Sequence, residues 1–342
     1  MSTTWKQAST LVLAFLLALF LVGCNTGDNA ESSDKETIQD NTTQETEENT
    51  EESTDTQEDK EQQSDNQTTY PLTVTDATGE EVTFDSEPTK LVSLIPSETE
   101  VLFALGAGEE VLAVDDYSDF PKETADLPKL GSTYSGLNVE ELIALQPDVV
   151  FINAGLQADV AQELRDQGLT VFGSNPGSIT DVIESIETIG LILNNQEQAE
   201  AVTKEMTEKI DYVKEKVANA EPKKVYAEFS AGWSFGTGDF ANDLITLAGG
   251  ENIFADVEGW FEVNPEEVIN RNPEVILFTS GEDGVTEDNK EAITTRDGFE
   301  VIDAVKNDQV IGIDSNKASR VGPRITDSLI EIFEAIHPEL AE

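Results

Sequence analysis

From Tyr70 onward the chain alternates between two hydrophobic periods. Leu72-Thr73-Val74 and Glu81-Val82-Thr83-Phe84 repeat every second residue about Thr78-Gly79, which predicts a hairpin. Lys90-Leu91-Val92-Ser93-Leu94-Ile95 predicts the first buried strand. Pro96 should stop it, and Ser97 is expected to cap a helix through Leu102, Phe103 and Leu105 to Gly106. A strand over 111–114, a helix near 158–167 and a strand over 169–172 continue the alternation. This pattern implies mostly parallel sheets with helices on their faces and right-handed crossovers. Residues 196–219 differ in kind. They lack Gly and Pro and place Ala199, Val202, Met206, Ile210, Val213 and Val217 at helical spacing. One helix of about 24 residues, about 36 Å long, is predicted there. Beyond it, Lys224-Val225-Tyr226-Ala227-Glu228-Phe229 opens a second strand–helix series.

The two series share a sentence. Asn138-Val139-Glu140-Glu141-Leu142-Ile143-Ala144-Leu145-Gln146-Pro147-Asp148-Val149-Val150 returns without a gap as Asn264-Pro265-Glu266-Glu267-Val268-Ile269-Asn270-Arg271-Asn272-Pro273-Glu274-Val275-Ile276. Two copies predict two similar lobes. In each, Asn with Glu three residues later is a capping-box pattern, so Glu141 and Glu267 are expected to fold back while Glu140 and Glu266 project outward. Pro265 suits the first helical position. Tyr134 and Trp260 each stand four residues before the Asn, which would present two rings to a shared cleft if a pseudo-two-fold relates the lobes.

The N-terminus sets an address. Lys6 precedes an apolar run from Leu11 to Val22 that is too short to span a bilayer and ends in Leu21-Val22-Gly23-Cys24. This resembles a bacterial lipoprotein signal over residues 1–24, with Cys24 lipidated. A single cysteine permits no intramolecular disulfide. Residues 25–69 are almost purely Glu, Asp, Thr, Gln, Ser and Asn, and are read as a disordered tether. The whole chain carries 70 acidic against 20 basic residues, a formal charge of −50. That disfavours nucleic acid and anionic lipid as partners and fits a surface suited to high salt.

Catalytic chemistry is not expected. Nucleophilic catalysis needs a positioned base, whereas Cys24 sits in the lipobox and the only histidine, His337, is near the C-terminus. A lone histidine also removes multi-histidine Zn or Mn sites, and Asp115-Asp116 reads as a solvated loop rather than a glycosidase dyad.

Several stretches carry a resemblance: Leu94-Ile95-Pro96-Ser97-Glu98-Thr99-Glu100, Tyr117-Ser118-Asp119-Phe120-Pro121, Ser132-Thr133-Tyr134-Ser135-Gly136-Leu137-Asn138, Ala248-Gly249-Gly250-Glu251-Asn252-Ile253-Phe254 and Arg320-Val321-Gly322-Pro323-Arg324-Ile325. Essentially everything after Tyr70 resembles the helical-backbone solute-binding proteins of ABC importers, most closely those that bind vitamin B12. The resemblance implies an α/β fold with two Rossmann-like lobes of mostly parallel sheet, 70–195 and 222–342, joined by one long helix, 196–221. It implies a monomer, tethered to the membrane by its lipid alone, that captures cobalamin or a related corrinoid without a resident cofactor and delivers it to a permease dimer with ATPase subunits. Tyr117, Tyr134, Phe235 and Trp260 are then expected at the cleft wall. Asn153 stands where relatives often carry tryptophan, and Trp233 and Phe261 are expected to compensate. Arg320 is a candidate to reach the ligand, and Glu140 and Glu266 to meet arginines of the permease. A ferric siderophore of the hydroxamate type is the alternative ligand.

Overall fold

A computed structural model describes residues 67–280 and 286–341. Cys24 and nearly all of the acidic segment lie outside the described residues. The last part of that segment is held: the backbone N–H of Thr68 donates to Asn194 Oδ1 at 2.8 Å and its hydroxyl to the Leu191 carbonyl at 2.6 Å.

The N-terminal lobe opens with the predicted hairpin, β1 Leu72–Thr75 and β2 Glu81–Phe84. It continues with β3 Leu91–Ser93, α1 Pro96–Ala104, β4 Val111–Val114, the small hairpin β5 Gly131–Ser132 and β6 Gly136–Leu137, α2 Val139–Leu145, β7 Val149–Asn153, α3 Ala154–Asp166, β8 Val171–Ser174 and α4 Ile179–Ile192. The long helix α5 runs Gln196–Val217. The C-terminal lobe contains β9 Lys223–Glu228, β10 Trp233–Phe235, α6 Phe240–Leu247, β11 Gly250–Asn252, β12 Trp260–Glu262, α7 Pro265–Arg271, β13 Val275–Ser280, α8 Thr286–Thr294, α9 Asp303–Lys306, β14 Val310–Asp314, α10 Ser315–Ser319 and α11 Ile325–Ile336.

Each lobe is built on a four-stranded sheet, ordered β4-β3-β7-β8 and β11-β9-β13-β14. All six pairings are parallel. Numbered within its own lobe, each sheet has the order 2-1-3-4, so the duplicated sentence reports a duplicated topology. The repeat extends to chain geometry. α2 and α7 both stop on a left-handed residue, Gln146 (φ 51°) and Asn272 (φ 48°), each followed by proline. The acid that comes next seals the neighbouring strand in both lobes: Asp148 Oδ2 accepts from the backbone of Thr89 and Lys90 at 2.9 and 3.0 Å, and Glu274 Oε2 accepts from that of Lys224 at 2.9 Å.

Side chains of a strand alternate between faces, and here the faces enter different cores. Leu91, Val149 and Phe151 pack inward, as do Val225, Ala227, Val275 and Leu277, and all belong to one cluster that also takes in Ile186, Met206, Ile210, Val213, Leu329 and Phe333 from α4, α5 and α11. The opposite faces close two separate cores, Val92, Val150 and Ile152 in the first lobe and Tyr226, Ile276 and Phe278 in the second. The lobes therefore share a continuous apolar interior.

Three local expectations change. α1 begins at Pro96 on an extended Ile95, so Ser97 lies inside the helix and caps nothing. Proline at the first position, with its φ already helical, sets that start. Neither capping box closes. Asn138 Oδ1 accepts from Glu141 N at 3.2 Å, but the Glu141 carboxylate is bonded by Asn138 Nδ2 at 2.7 Å, because the Asn138 backbone N–H is spent on the Leu130 carbonyl. In the second copy Asn264 Oδ1 accepts from Glu266 N at 3.1 Å, and Glu267 turns toward Arg271 at 3.5 Å. α3 begins at Ala154 rather than near residue 158.

Candidate functional site

Parallel sheets bind ligands beyond the carboxyl ends of their strands, where the crossover loops diverge. Among the described residues, the exposed rings other than Tyr212 of α5 gather at those ends. After β4 comes the loop 115–121 with Tyr117, exposed, and beside it the β5–β6 hairpin with Tyr134, which is 79 % exposed. Ser132 Oγ accepts from the backbone of Tyr134 and Ser135 at 3.2 and 3.0 Å, a serine turn that projects the tyrosine, while Ser135 Oγ donates to Asp116 Oδ2 at 2.9 Å and joins hairpin to loop. Tyr117 and Tyr134 meet edge to face with centroids 6.3 Å apart. This arrangement leaves π-surface of both rings accessible.

The Tyr117 loop is anchored from beneath by hydroxyls. Ser118 Oγ donates to Asp115 Oδ1 at 2.5 Å, and Thr99 Oγ1 lies within hydrogen-bond distance of both Ser118 Oγ, at 2.7 Å, and Ser93 Oγ, at 2.8 Å. Burial raises the Asp115 carboxyl above its ordinary range, offset by the bonds from Ser118 and Tyr117 N.

In the second lobe the site stands on a two-stranded antiparallel ribbon, β10–β12, with Phe235 opposite Trp260 and Trp233 opposite Glu262. Period-two alternation puts Trp233, Phe235 and Trp260 on one face and Ser234 and Phe261 on the other. Trp233 and Trp260 are half-exposed. Trp260 is aimed by Asp239, the N-cap of α6, which accepts from its Nε1 at 2.5 Å. Burial pushes the Asp239 carboxyl up, against the bonds from Ala241 N and Trp260.

Three residues expected at or near the cleft, one of them a wall residue, take other positions. Phe235 is completely buried, packed against Phe229 and Trp260 at 5.0 and 5.6 Å, so it is the floor under the tryptophan and not a contact surface. Phe261, expected to add surface, turns to the reverse face against Phe254 at 5.1 Å. Asn153 is buried as the N-cap of α3, its Oδ1 accepting from Leu156 N at 3.0 Å while Gln157 Oε1 accepts from its backbone N–H at 3.0 Å. What this cap presents is Leu156, 67 % exposed in the first turn after β7. The sequence signal for Leu156 is a leucine two residues into a helix directly behind a buried strand, which a helix starting near residue 158 leaves out.

Arg320 also departs from expectation. Its guanidinium donates to Glu100 at 3.1 Å, Asp119 at 2.7 Å, Asn316 at 3.0 Å and the Tyr117 carbonyl at 3.4 Å. Arg324 holds the same Glu100 through two bonds, 2.8 and 2.6 Å, and lies 3.8 Å over the Phe120 ring. The cationic charge here is matched by carboxylates. Glu140 and Glu266 are exposed in the first turns of α2 and α7, with no ion-pair partner among the described residues. No cluster of metal-ligating side chains occurs among the described residues, and His337 is buried against the Gly249 carbonyl.

Residues 91–317 match the periplasmic binding protein family. The chain belongs to that family. It is a solute-binding component of transport and not an enzyme. An uncharacterized ABC transporter substrate-binding lipoprotein of Bacillus subtilis (strain 168), YvrC, is 33% identical over 345 residues, covering 98% of both chains. A vitamin B12-binding protein of Vibrio parahaemolyticus is 30% identical over 262 residues, 74% of this chain and 91% of that one. Among solved structures, a possible iron-binding (periplasmic solute-binding) protein from Staphylococcus epidermidis superimposes with a TM-score of 0.65 at 31% identity, covering 74% of this chain and all of the other.

Proposed function

We propose that this protein is the membrane-anchored, extracytoplasmic receptor of an ABC importer and that it captures cobalamin or a related corrinoid between its lobes for delivery to the permease. The observation that carries the reading is the set of exposed rings, Tyr117, Tyr134, Trp233 and Trp260, at the carboxyl ends of both sheets. Solvent-facing aromatics on rigid supports are costly unless a ligand covers them, and a large, flat, amphiphilic corrin offers matching surface. Similarity to the vitamin B12-binding protein supports the same ligand class. Lipid anchoring rests on Cys24 and on the likeness to the B. subtilis lipoprotein.

A ferric siderophore is the second reading, favoured by similarity to the S. epidermidis protein. An anionic complex needs unspent cations, yet Arg320 and Arg324 are held by Glu100 and Asp119, and Arg296 by Glu228 through two bonds of 2.8 Å. A neutral hydroxamate complex is the form that fits. Isothermal titration of the purified protein with cyanocobalamin, cobinamide, haem and a ferric hydroxamate separates the readings. Micromolar or tighter binding of the corrinoids alone is expected. Saturable binding of the ferric hydroxamate without the corrinoids would reassign the ligand.

A further inference from the structure

The ring-bearing loop 115–121 belongs to the first lobe, whereas Arg320 belongs to the second, in the turn between α10 and α11. Gly322 in that turn lies so close to α1 that an added Cβ would stand 3.2 Å from the Ser97 carbonyl oxygen. The arginine pair therefore reaches across the lobe junction, and its bonds form two limbs of different character. The inner limb joins Arg320 and Arg324 to Glu100, whose side chain is 2 % exposed. The outer limb joins Arg320, 11 % exposed, to Asp119, 61 % exposed, and to the Tyr117 carbonyl. Removing a partner from the inner limb strands a buried charge, so that limb is a permanent fastening. The outer limb faces water and can open at small cost.

We infer that Arg320 is a positioning residue: through Asp119 and the Tyr117 carbonyl it ties the ring-bearing loop of one lobe to the other lobe and so sets the aperture of the ligand cleft, without touching the ligand. The hydroxyl chain Asp115–Ser118–Thr99–Ser93 fixes the base of the same loop within its own lobe. Tyr117 is thus held from below by its own sheet and from the side by the opposite lobe. The inference rests on the ligand reading above for its affinity effect, but not for its effect on the loop.

The test compares the full-length protein with Arg320→Met, Asp119→Ala, the double variant and Arg320→Lys. In ligand-free protein, amide hydrogen exchange over residues 115–121 should quicken about 10-fold in each single variant, no further in the double, and partly recover in Arg320→Lys, while β13 is unchanged. Affinity for cyanocobalamin should fall about 10-fold in both single variants and again not additively. Asp119 is exposed, so Asp119→Ala keeps the fold even if Arg320→Met does not. Unchanged exchange over 115–121 overturns the inference. So does an Asp119→Ala protein with native affinity beside an Arg320→Met protein that has lost it, since Arg320 would then touch the ligand directly. If the unaltered protein binds no corrinoid, the ligand reading fails, and exchange alone still decides the role of Arg320.

Discussion

Glu98 is the residue whose environment agrees least with its charge. It sits in the first turn of α1, 2 % exposed; Ser174 Oγ donates to its Oε1, and its Oε2 meets no partner among the described residues. Burial raises its pKa to about 7, with the Ser174 bond working the other way. The folded protein then binds more protons at this site than the unfolded chain wherever pH lies between the unfolded value, 4.5, and about 7. Stability contributed here is present below that window and is lost as pH rises through it. The size is on the order of 3 kcal/mol by pH 8. Urea unfolding of Glu98→Gln should show greater stability than the parent at pH 8 and a flatter profile between pH 5 and 7.5; an unchanged slope would locate the pH dependence elsewhere. Exposure at this scale is legible where a side chain stands alone. Tyr134 and Trp260 stand out in the sequence as rings ahead of short helices, and both are exposed. Arg320 does not stand out, because its partners Glu100 and Asp119 lie 220 and 201 residues away in the chain. The capping bond of Asn153 is hidden for a related reason, since it follows only once the start of α3 is known.

Among elements, the β10–β12 ribbon stacks two functions on one face, with Phe235 buried beneath its exposed partner Trp260. Phe235→Ala should cost about 3–5 kcal/mol of stability, because it empties a fully buried ring site, and should weaken ligand binding only through the tilt of Trp260. Trp260→Ala should leave thermal stability nearly intact while lowering corrinoid affinity about 10- to 100-fold. Comparable losses of stability in both variants would show that Trp260 is packing rather than a contact. The short helices α2 and α7 carry a prediction of their own. Each offers a glutamate at its positive end, where the dipole favours an anion and no cation among the described residues pairs with it. Changing Glu140 and Glu266 together to Lys should spare ligand binding and reduce transport into cells, since rim charges set orientation and encounter more than affinity. Undiminished uptake would remove the docking role. Periodicity and the repeat made most elements legible, including the long helix, predicted over 196–219 and observed as Gln196–Val217. The capping boxes failed for a reason the sequence does not carry. Whether Glu141 reaches the Asn138 backbone depends on that N–H being unoccupied, and the carbonyl of Leu130, just ahead of β5, takes it.

At the scale of the whole molecule, the shared interior decides how the protein moves. A clamshell receptor needs two lobes with separate cores and a flexible connection. Here Phe151 of the first sheet and Leu277 of the second belong to one apolar cluster, bridged by Met206, Ile210 and Val213 of α5 and by Leu329 and Phe333 of α11. Opening the lobes widely would expose that seam at about 25 cal/mol per Å² of apolar surface, and would also break the buried bonds of Glu100 with two arginines. Motion is therefore confined to what the outer limb at Asp119 allows, a small rotation that adjusts the rings without parting the core. Small-angle scattering of the free and corrinoid-bound protein should give radii of gyration that agree within error, while exchange at 115–121 slows on binding. A marked compaction on ligand addition would contradict the shared-core account. Loss of ligand control over 115–121 in Asp119→Ala, with the scattering still unchanged, would place the moving part in that loop.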